Sequence, residues 1–517
     1  LIAHADANNL AVFDVTDRAA AKPLGFIPTG WYPTSVRFHP ATHKVLVANG
    51  KGTLPRANRE GPDPMATLPA NLAEYIAGLF KGTLSTIDLP TPERLATYTK
   101  QAYECSPLRE DRQPTAEPPP GNPVPRKVGD PSPIKYVIYV IKENRTYDQV
   151  LGDVKAGNGD PSLCLFPEAV TPNHHKIARQ FVLLDNFYVD GEVSADGHEW
   201  SMAAYATDFV EKTWPLTYRG SPKGKLGYPA EGNAEKAARP AGGYIWDRCR
   251  EAGVSYRSYG EFIHPGAKPG DPAVAAVKSL EGHFDPLYHP YDLDYPDVNR
   301  AERFIDELRR FEQAGEMPRF QVMRLPNDHT TGTRVGKPTP TAMVADNDLA
   351  LGMVVEALSR SKFWKETAVF VLEDDAQNGP DHVDAHRSPA LVISPYTRRA
   401  AVDSTMYSTS SVLRTMELIL GLQPMSQYDA AARPMYGCFA AKADLTPYDH
   451  EVPRVDLLEK NNRAAWGADR SEKFDLAKED QADDLLFNEV IWKSVKGAKS
   501  PMPPPVRAAF VRPHADD

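Results

Sequence analysis

Two adjacent acids, Asp374 and Asp375, follow directly on the apolar run Thr367-Ala-Val-Phe-Val-Leu372 and Glu373. Like charges this close repel unless a cation or hydrogen bonds offset them, and neighbouring side chains on an extended segment point apart. The pair could therefore serve two metals, or one metal and a supporting partner. Glu143-Asn144 follows a second apolar run, Tyr136-Val-Ile-Tyr-Val-Ile141. Carboxylate and amide oxygens are hard donors that suit a divalent cation. Asp328-His329 closes a third run, and Asp381-His382 and His386-Arg387 follow the paired acids closely. Imidazole beside carboxylate is the usual donor set for zinc, iron or manganese. Any one of these blocks alone would read as a polar turn. Their recurrence after apolar runs points to metal-assisted chemistry.

Ser194 lies in Asp190-Gly-Glu-Val-Ser-Ala-Asp-Gly-His-Glu-Trp200, just before an expected helix. A serine there is ordinarily an N-cap. The same geometry serves chemistry, because a helix N-terminus offers N–H groups to a phosphate. A serine beside a metal loses its proton readily and becomes a nucleophile. His198, with Arg145 or Arg387, could hold phosphate oxygens. No GxSxG elbow, GxGxxG, phosphate-loop or EF-hand pattern is present, which disfavours the esterase, dinucleotide, nucleotide and calcium-loop classes.

The elements that must position these residues alternate. Strands are expected at 136–141, 181–184, 319–324, 367–372 and 390–394. Helices are expected near 198–208, 244–252, 300–313, 343–361 and 409–420. This is the signature of an α/β fold, a largely parallel sheet sandwiched by helices, with ligands beyond the carboxyl ends of the strands. Residues 212–300, rich in Gly, Pro and Tyr, read as an insertion shaping substrate access. Residues 1–50 look all-β, with strands at 10–15, 35–38 and 44–48 and a turn at 29–33, and 82–90 reads as one further strand of an N-terminal domain spanning 1–105. Eight prolines between Pro114 and Pro133 mark 106–134 as an extended linker. Residues 135–450 form the main domain, and 451–517 a polar wrapping tail.

At 517 residues the chain should hold more than one domain, and its net charge of −10 argues against a nucleic-acid surface. No apolar stretch approaches the roughly 20 residues of a membrane span. Four scattered cysteines exclude a zinc-thiolate site and leave one or two disulfides open. The chain starts at Leu1 without a signal peptide, which reads as a processed or shortened N-terminus.

The blocks "YVIYVIKENRTYDQVLGD", "GEVSADGHEW", "LPNDHTTGT" and "VFVLEDDAQNGPDHVDAHRSPALVISPYTRR", in this order, resemble the phosphoesterase family of bacterial phospholipases C and acid phosphatases, within the alkaline phosphatase superfamily. The phrases "PTGWYPTSVRFHP" and "LVANGKG" resemble blades of YVTN-type β-propellers, which precede such domains in one subgroup. One blade and a fraction cannot close a propeller, so further blades are expected upstream. The resemblance implies an alkaline-phosphatase-like fold and a metal-dependent phosphoric ester hydrolase. Glu143, Asn144, Asp374 and Asp375 match its metal motifs. Ser194 falls at its nucleophile position, although Ala195-Asp196-Gly197-His198 departs from the family's Pro-Asn-His or Pro-Asn-Arg. His198 keeps an imidazole at the phosphate-contact position. His329, His382 and His386 would complete the metal or phosphate shell, with His329 or His382 protonating the leaving oxygen or binding a second metal. The expected cofactor is one or more divalent ions (Ca, Zn, Mn or Fe). The expected substrate is a small-molecule or lipid phosphate ester, and the expected location is periplasmic or secreted. Rival readings are a sulfatase or phosphonate hydrolase of the same superfamily, or a propeller-based binding protein with an inert scaffold.

Overall fold

The computed structural model describes residues 1–5, 7–17, 19–52, 81–106, 116–217, 228–233, 236–268, 271–477 and 482–506. Two compact units form, one within Leu1–Arg112 and one spanning Gln113–Val506.

In the first unit, Ile2–His4, Asn9–Asp14 and Lys22–Pro28 make one three-stranded antiparallel sheet. Trp31–His39, Lys44–Gly52 and Thr83–Asp88 make another. Leu10, Ile27, Val45 and Val47 form the small core. The Pro92–Cys105 helix leans on the first sheet, where Thr99 Oγ1 accepts the Phe26 N–H at 2.9 Å. The expected turn at 29–33 is instead largely strand. Its register slips at Trp31/Pro33 and Pro33/Ser35, irregularities that accommodate a proline with no N–H to donate. These antiparallel sheets are compatible with a partial propeller.

The second unit is built on a five-stranded sheet in the spatial order Tyr256–Tyr259, Phe320–Leu325, Tyr136–Lys142, Thr367–Glu373, Ala390–Ile393. The first four strands run parallel and the last is antiparallel. Side chains alternate between the two faces. Val137, Tyr139 and Ile141 join one core with Met202, Trp246 and Met416. Tyr136, Ile138 and Val140 join the other with Phe304, Leu351 and Val354. Both faces are thus covered by helices, chiefly Ser194–Ala203, Ile245–Glu251 and Thr409–Leu420 on the first, and Asp297–Ala314 and Pro340–Arg360 on the second. This two-sided burial explains the unbroken apolar strands.

Three expectations change on this frame. The Val182–Leu184 run is too short to join the central sheet and pairs with Ala401–Asp403. The edge strand Tyr256–Tyr259 comes from within 212–300, so that segment is not solely an insertion over the strand ends. The described part of the Pro-rich segment, 116–134, packs into this unit. Val124 and Ile134 are core residues, and the Asn122 amide donates to the Tyr436 carbonyl at 2.9 Å. Prolines lack the N–H that burial would otherwise leave unpaired, which suits them to such an extended, packed path. Beyond 450, the Asp484–Lys496 helix contributes Phe487, Val490 and Ile491 to a third core with Val344. All four cysteines are free thiols. No described helix is long and apolar enough to cross a membrane.

The strand ends are tied by Lys142. Its Nζ donates to Asp328 Oδ2 at 2.7 Å and Glu373 Oε1 at 2.9 Å, all three being buried. Burial favours the neutral amine, but the two carboxylates outweigh it and raise the pKa. Burial and the Asp328 charge push the Glu373 carboxyl well above the usual carboxylate range. Removing one member of such a buried set strands the others in low dielectric. Lys142→Met is expected to lose about 3–5 kcal/mol of stability, measured by urea denaturation.

Candidate active site

The carboxyl ends of Tyr136–Lys142, Phe320–Leu325 and Thr367–Glu373 are neighbours in the sheet, so residues just past them converge. At Asn144 the backbone enters the left-handed region, φ 75°, which Asn tolerates better than most residues. The chain turns there, and both Glu143 and Asn144 reach the same group of side chains. Asn144 Nδ2 donates to Asp375 Oδ2 at 2.7 Å, and Arg324 Nε donates to Glu143 Oε1 at 2.7 Å.

Ser194 opens the Ser194–Ala203 helix, a turn earlier than expected. Asp196 holds that start in place, accepting the Glu192 N–H at 3.0 Å and the Val193 N–H at 2.9 Å. Ser194 Oγ donates to Asp375 Oδ2 at 3.1 Å. The helix can come this near because of its glycines. A Cβ on Gly197 would lie 2.7 Å from the Asp374 carbonyl oxygen, and one on Gly191 would lie 2.4 Å from Gly197 Cα. The Gly191-to-Gly197 segment therefore lies directly on the backbone that carries the paired acids.

His198, one turn along, donates from Nδ1 to Glu261 Oε1 at 2.8 Å. Its Nε2 lies 3.3 Å from Asp374 Oδ2 and 3.6 Å from Glu143 Oε1. Burial and the Arg324 charge lower its pKa, but Glu261, Glu231 and Asp374 outweigh them and raise it well above the ordinary value. Hydrogen-bond geometry opposes this. Arg324 Nη2 sits 2.7 Å from Nε2, and a guanidinium N–H can donate only to a lone pair. The neutral Nδ1–H tautomer fits that contact. A cation on Asp374 would also weaken the field that favours the imidazolium.

Charge at the centre is unevenly matched. Burial pushes Glu143 up, yet Arg324 and His198 hold it down at about 2. No Lys or Arg among the described residues forms a salt bridge with Asp374, and burial together with Asp375 pushes its carboxyl well above the usual range. Four buried oxygens here, Glu143 Oε2, Asn144 Oδ1 and both of Asp374, meet no hydrogen-bond donor. Buried acceptors in proteins are almost always satisfied, so a cluster of orphans calls for a missing partner. All four are hard oxygen donors, and one atom each of Glu143, His198 and Asp374 lies within 4.8 Å of the others. The residues fit a divalent cation.

The model of the Phosphoesterase family matches residues 154–423. The chain belongs to the Phosphoesterase family. It is a phosphoester hydrolase, and the match covers Ser194, His198, Asp374 and Asp375, with Glu143 and Asn144 just upstream. No curated protein matches the sequence. The fold is similar to a Vibrio parahaemolyticus protein in the alkaline phosphatase superfamily (TM-score 0.40, 16% identity, 61% of this chain and 74% of that one). It is also similar to human ectonucleotide pyrophosphatase/phosphodiesterase 5 (TM-score 0.37, 12% identity, 56% and 96%). A third similar structure is a lipoteichoic acid synthase from Listeria monocytogenes (TM-score 0.38, 13% identity, 59% and 76%).

In this phosphoesterase the structure gathers Glu143, Asn144, Ser194, His198, Asp374 and Asp375. Other anticipated site residues lie in different networks. Arg145 donates to the Asp328 and His329 carbonyls, so it ties the loops together instead of facing a phosphate. His329 Nδ1 donates to the Thr330 carbonyl at 3.0 Å, and its ring packs against Phe487. It is still near enough to help lower the Glu143 pKa. His382 pairs with Asp148 Oδ2 at 2.6 Å, and Arg387 pairs with Asp148 and Asp381 and donates to the Asn158 and Asp185 carbonyls. Those partners satisfy the cluster internally. His386 spans Asp384 Oδ1 at 2.7 Å and Glu192 Oε1 at 3.0 Å, bracing the loop before Ser194.

Three residues of the centre carried no sequence signal strong enough to single them out: Arg324, Glu231 and Glu261. Arg324 is the penultimate residue of a wholly buried strand, and a charge there is itself a clue. Glu231 and Glu261 sit in loops of the 212–300 segment, and nothing local marks them. The close approach at Gly197 gives a direct test. Gly197→Ala must move the helix or the Asp374 backbone by several tenths of an ångström. Turnover of p-nitrophenyl phosphate is expected to fall on the order of 10²-fold with the fold retained by circular dichroism.

Proposed function

We propose that this phosphoesterase cleaves phosphoric esters through Ser194 as nucleophile, with a divalent cation held by Glu143, Asn144, Asp374 and Asp375. The observation that carries the reading is the set of buried, unpartnered oxygens of Glu143, Asn144 and Asp374 beside a serine hydroxyl held by Asp375. A cation bound there supplies Lewis acidity, lowering the serine pKa and offsetting charge that develops on the phosphoryl group.

The chain's own groups supply the rest. Asp375 Oδ2 accepts the Ser194 Oγ–H and is positioned to take that proton as Oγ attacks. Asn144 Nδ2 donates to the same carboxylate oxygen, fixing its orientation. Ser194 stands at a helix N-terminus, where the macrodipole favours the anionic phosphoryl group. Oγ–P forms as the ester O–P bond breaks, and the departing oxygen takes up a proton. Water then attacks phosphorus, and Ser194 Oγ leaves and recovers its proton. Glu261 holds His198 through Nδ1, so its Nε2 side faces Glu143 and Asp374. It is an imidazole at the Glu143 and Asp374 oxygens, whereas His382 is engaged by Asp148. The substrate is a small-molecule or lipid phosphate ester, and the protein acts in the periplasm or outside the cell, as its family resemblance suggests.

Ser194→Ala should abolish turnover of p-nitrophenyl phosphate and its bis ester by on the order of 10³-fold or more. The wild-type protein, acid-quenched during turnover, should carry a phosphate on the peptide containing Ser194 by mass spectrometry. Wild-type turnover in Ser194→Ala would remove the covalent step.

A further inference from the structure

Arg324 hydrogen-bonds both Glu143 and Glu231 and stands inside the carboxylate group. Its side chain is buried, 3% exposed. It reaches three partners from three separate parts of the chain. Nε and Nη2 meet Glu143 Oε1 at 2.7 and 2.6 Å. Nη1 meets Glu231 Oε1 at 2.7 Å, and Nη2 meets His198 Nε2 at 2.7 Å. The Tyr291 ring lies 5.1 Å from the guanidinium carbon. Two overlapping sets of donor atoms flank this position. Glu143, His198 and Asp374 form one, and His198, Glu231 and Glu261 form the other. The second set has the donors for a cation of its own, yet Glu231 is already paired with a fixed charge on the protein.

We propose that Arg324 is a built-in cation that stands in for a second metal ion, so that the phosphoesterase centre loads one divalent ion and keeps His198 and Glu143 in register with it. This rests on the metal-assisted reading above. Arg324 does not touch the reacting atoms on this account. It is a positioning residue, acting through Glu143, one of the ligands, and through the tautomer of His198. The planar fork suits this task, because it meets a carboxylate and an imidazole in fixed directions, whereas a lysine would offer a single mobile charge. Without it, Glu231 would lose a fixed positive charge 2.7 Å away, beside the His198–Glu261 pair. That is the condition under which a further cation binds.

The test counts ions. Chelator-stripped protein is titrated with Mn²⁺, the free ion being read by electron paramagnetic resonance, and in parallel with Zn²⁺ by calorimetry. Wild type should bind one equivalent per chain, and Arg324→Met should gain a second. In Arg324→Met, kcat should fall by ~10²-fold with KM moving by less than about threefold, and added guanidinium should recover part of the loss. Should that variant not fold, Arg324→Lys replaces it: a single equivalent and a kcat lowered by at least ~10-fold are expected, since a point charge cannot hold both partners. Two equivalents in wild type would overturn the proposal, as would a single equivalent in Arg324→Met or wild-type kcat in Arg324→Lys. No bound ion in wild type would instead remove the metal reading on which the proposal stands.

Discussion

The constraint on which the site depends is like-charge crowding in a buried place. Parallel strands deliver Glu143, Asp328, Glu373, Asp374 and Asp375 to one end of the sheet, all nearly inaccessible to water. Charges of one sign that close, in low dielectric, cannot all stay ionised without cations among them. Among the described residues, the buried Arg145 charge acts on Asp328, Glu373 and Asp375. Lys142 balances Asp328 and Glu373, and Arg324 balances Glu143 and Glu231. Asp374 forms no salt bridge with a Lys or Arg among the described residues, and both its carboxylate oxygens, with Glu143 Oε2 and Asn144 Oδ1, are buried without a donor. The fold thus concentrates its electrostatic deficit at the serine.

Everything around that deficit works to bring Ser194 onto it. The sheet fixes where the acids are, since their strands pair in register over their full lengths. The Ser194–Ala203 helix is set by Gly197 and Gly191, which let its backbone lie against the Asp374 backbone, and by Asp196, which holds its first turn. His386 and Glu192 brace the approach to that turn. The loops of the 212–300 segment close the other side. Glu261 holds His198, and Glu231 holds Arg324. Stability and reactivity are coupled here, because the interactions that offset strand-end repulsion also aim the reacting groups.

Much of this was legible in the sequence. Apolar runs ending in acids gave three of the five central strands to within a residue or two, because both-face burial leaves an unmistakable run of Val, Ile, Phe and Leu. Glu143, Asn144, Asp374, Asp375, Ser194 and His198 could be named because they sit at those ends or in one short Gly-containing block. Less legible was anything fixed by distant parts of the chain. His382, His386 and Arg387 look like ligands by type and nearness in sequence. Asp148, far upstream, claims His382 and Arg387 in space. The edge strand Tyr256–Tyr259 is short and contains Arg257, so it lacks the apolar run that marked its neighbours. Glu231 and Glu261 matter only through contacts with Arg324 and His198, which no local pattern encodes.

The most direct test of the account is the effect of removing divalent ions on both turnover and stability. The purified protein is assayed with p-nitrophenyl phosphate and its thermal midpoint recorded before chelation, after chelation and after adding back Zn²⁺, Mn²⁺ or Ca²⁺. A centre in which buried oxygens of Glu143, Asn144 and Asp374 have a cation as their partner should lose turnover on chelation and unfold at a lower temperature, since a ligand that binds only the folded state stabilises it. At least one of the ions should restore both. Full turnover with an unchanged midpoint in thoroughly chelated protein would contradict the account, because the Asp374–Asp375 pair would then be stable and competent without a cation.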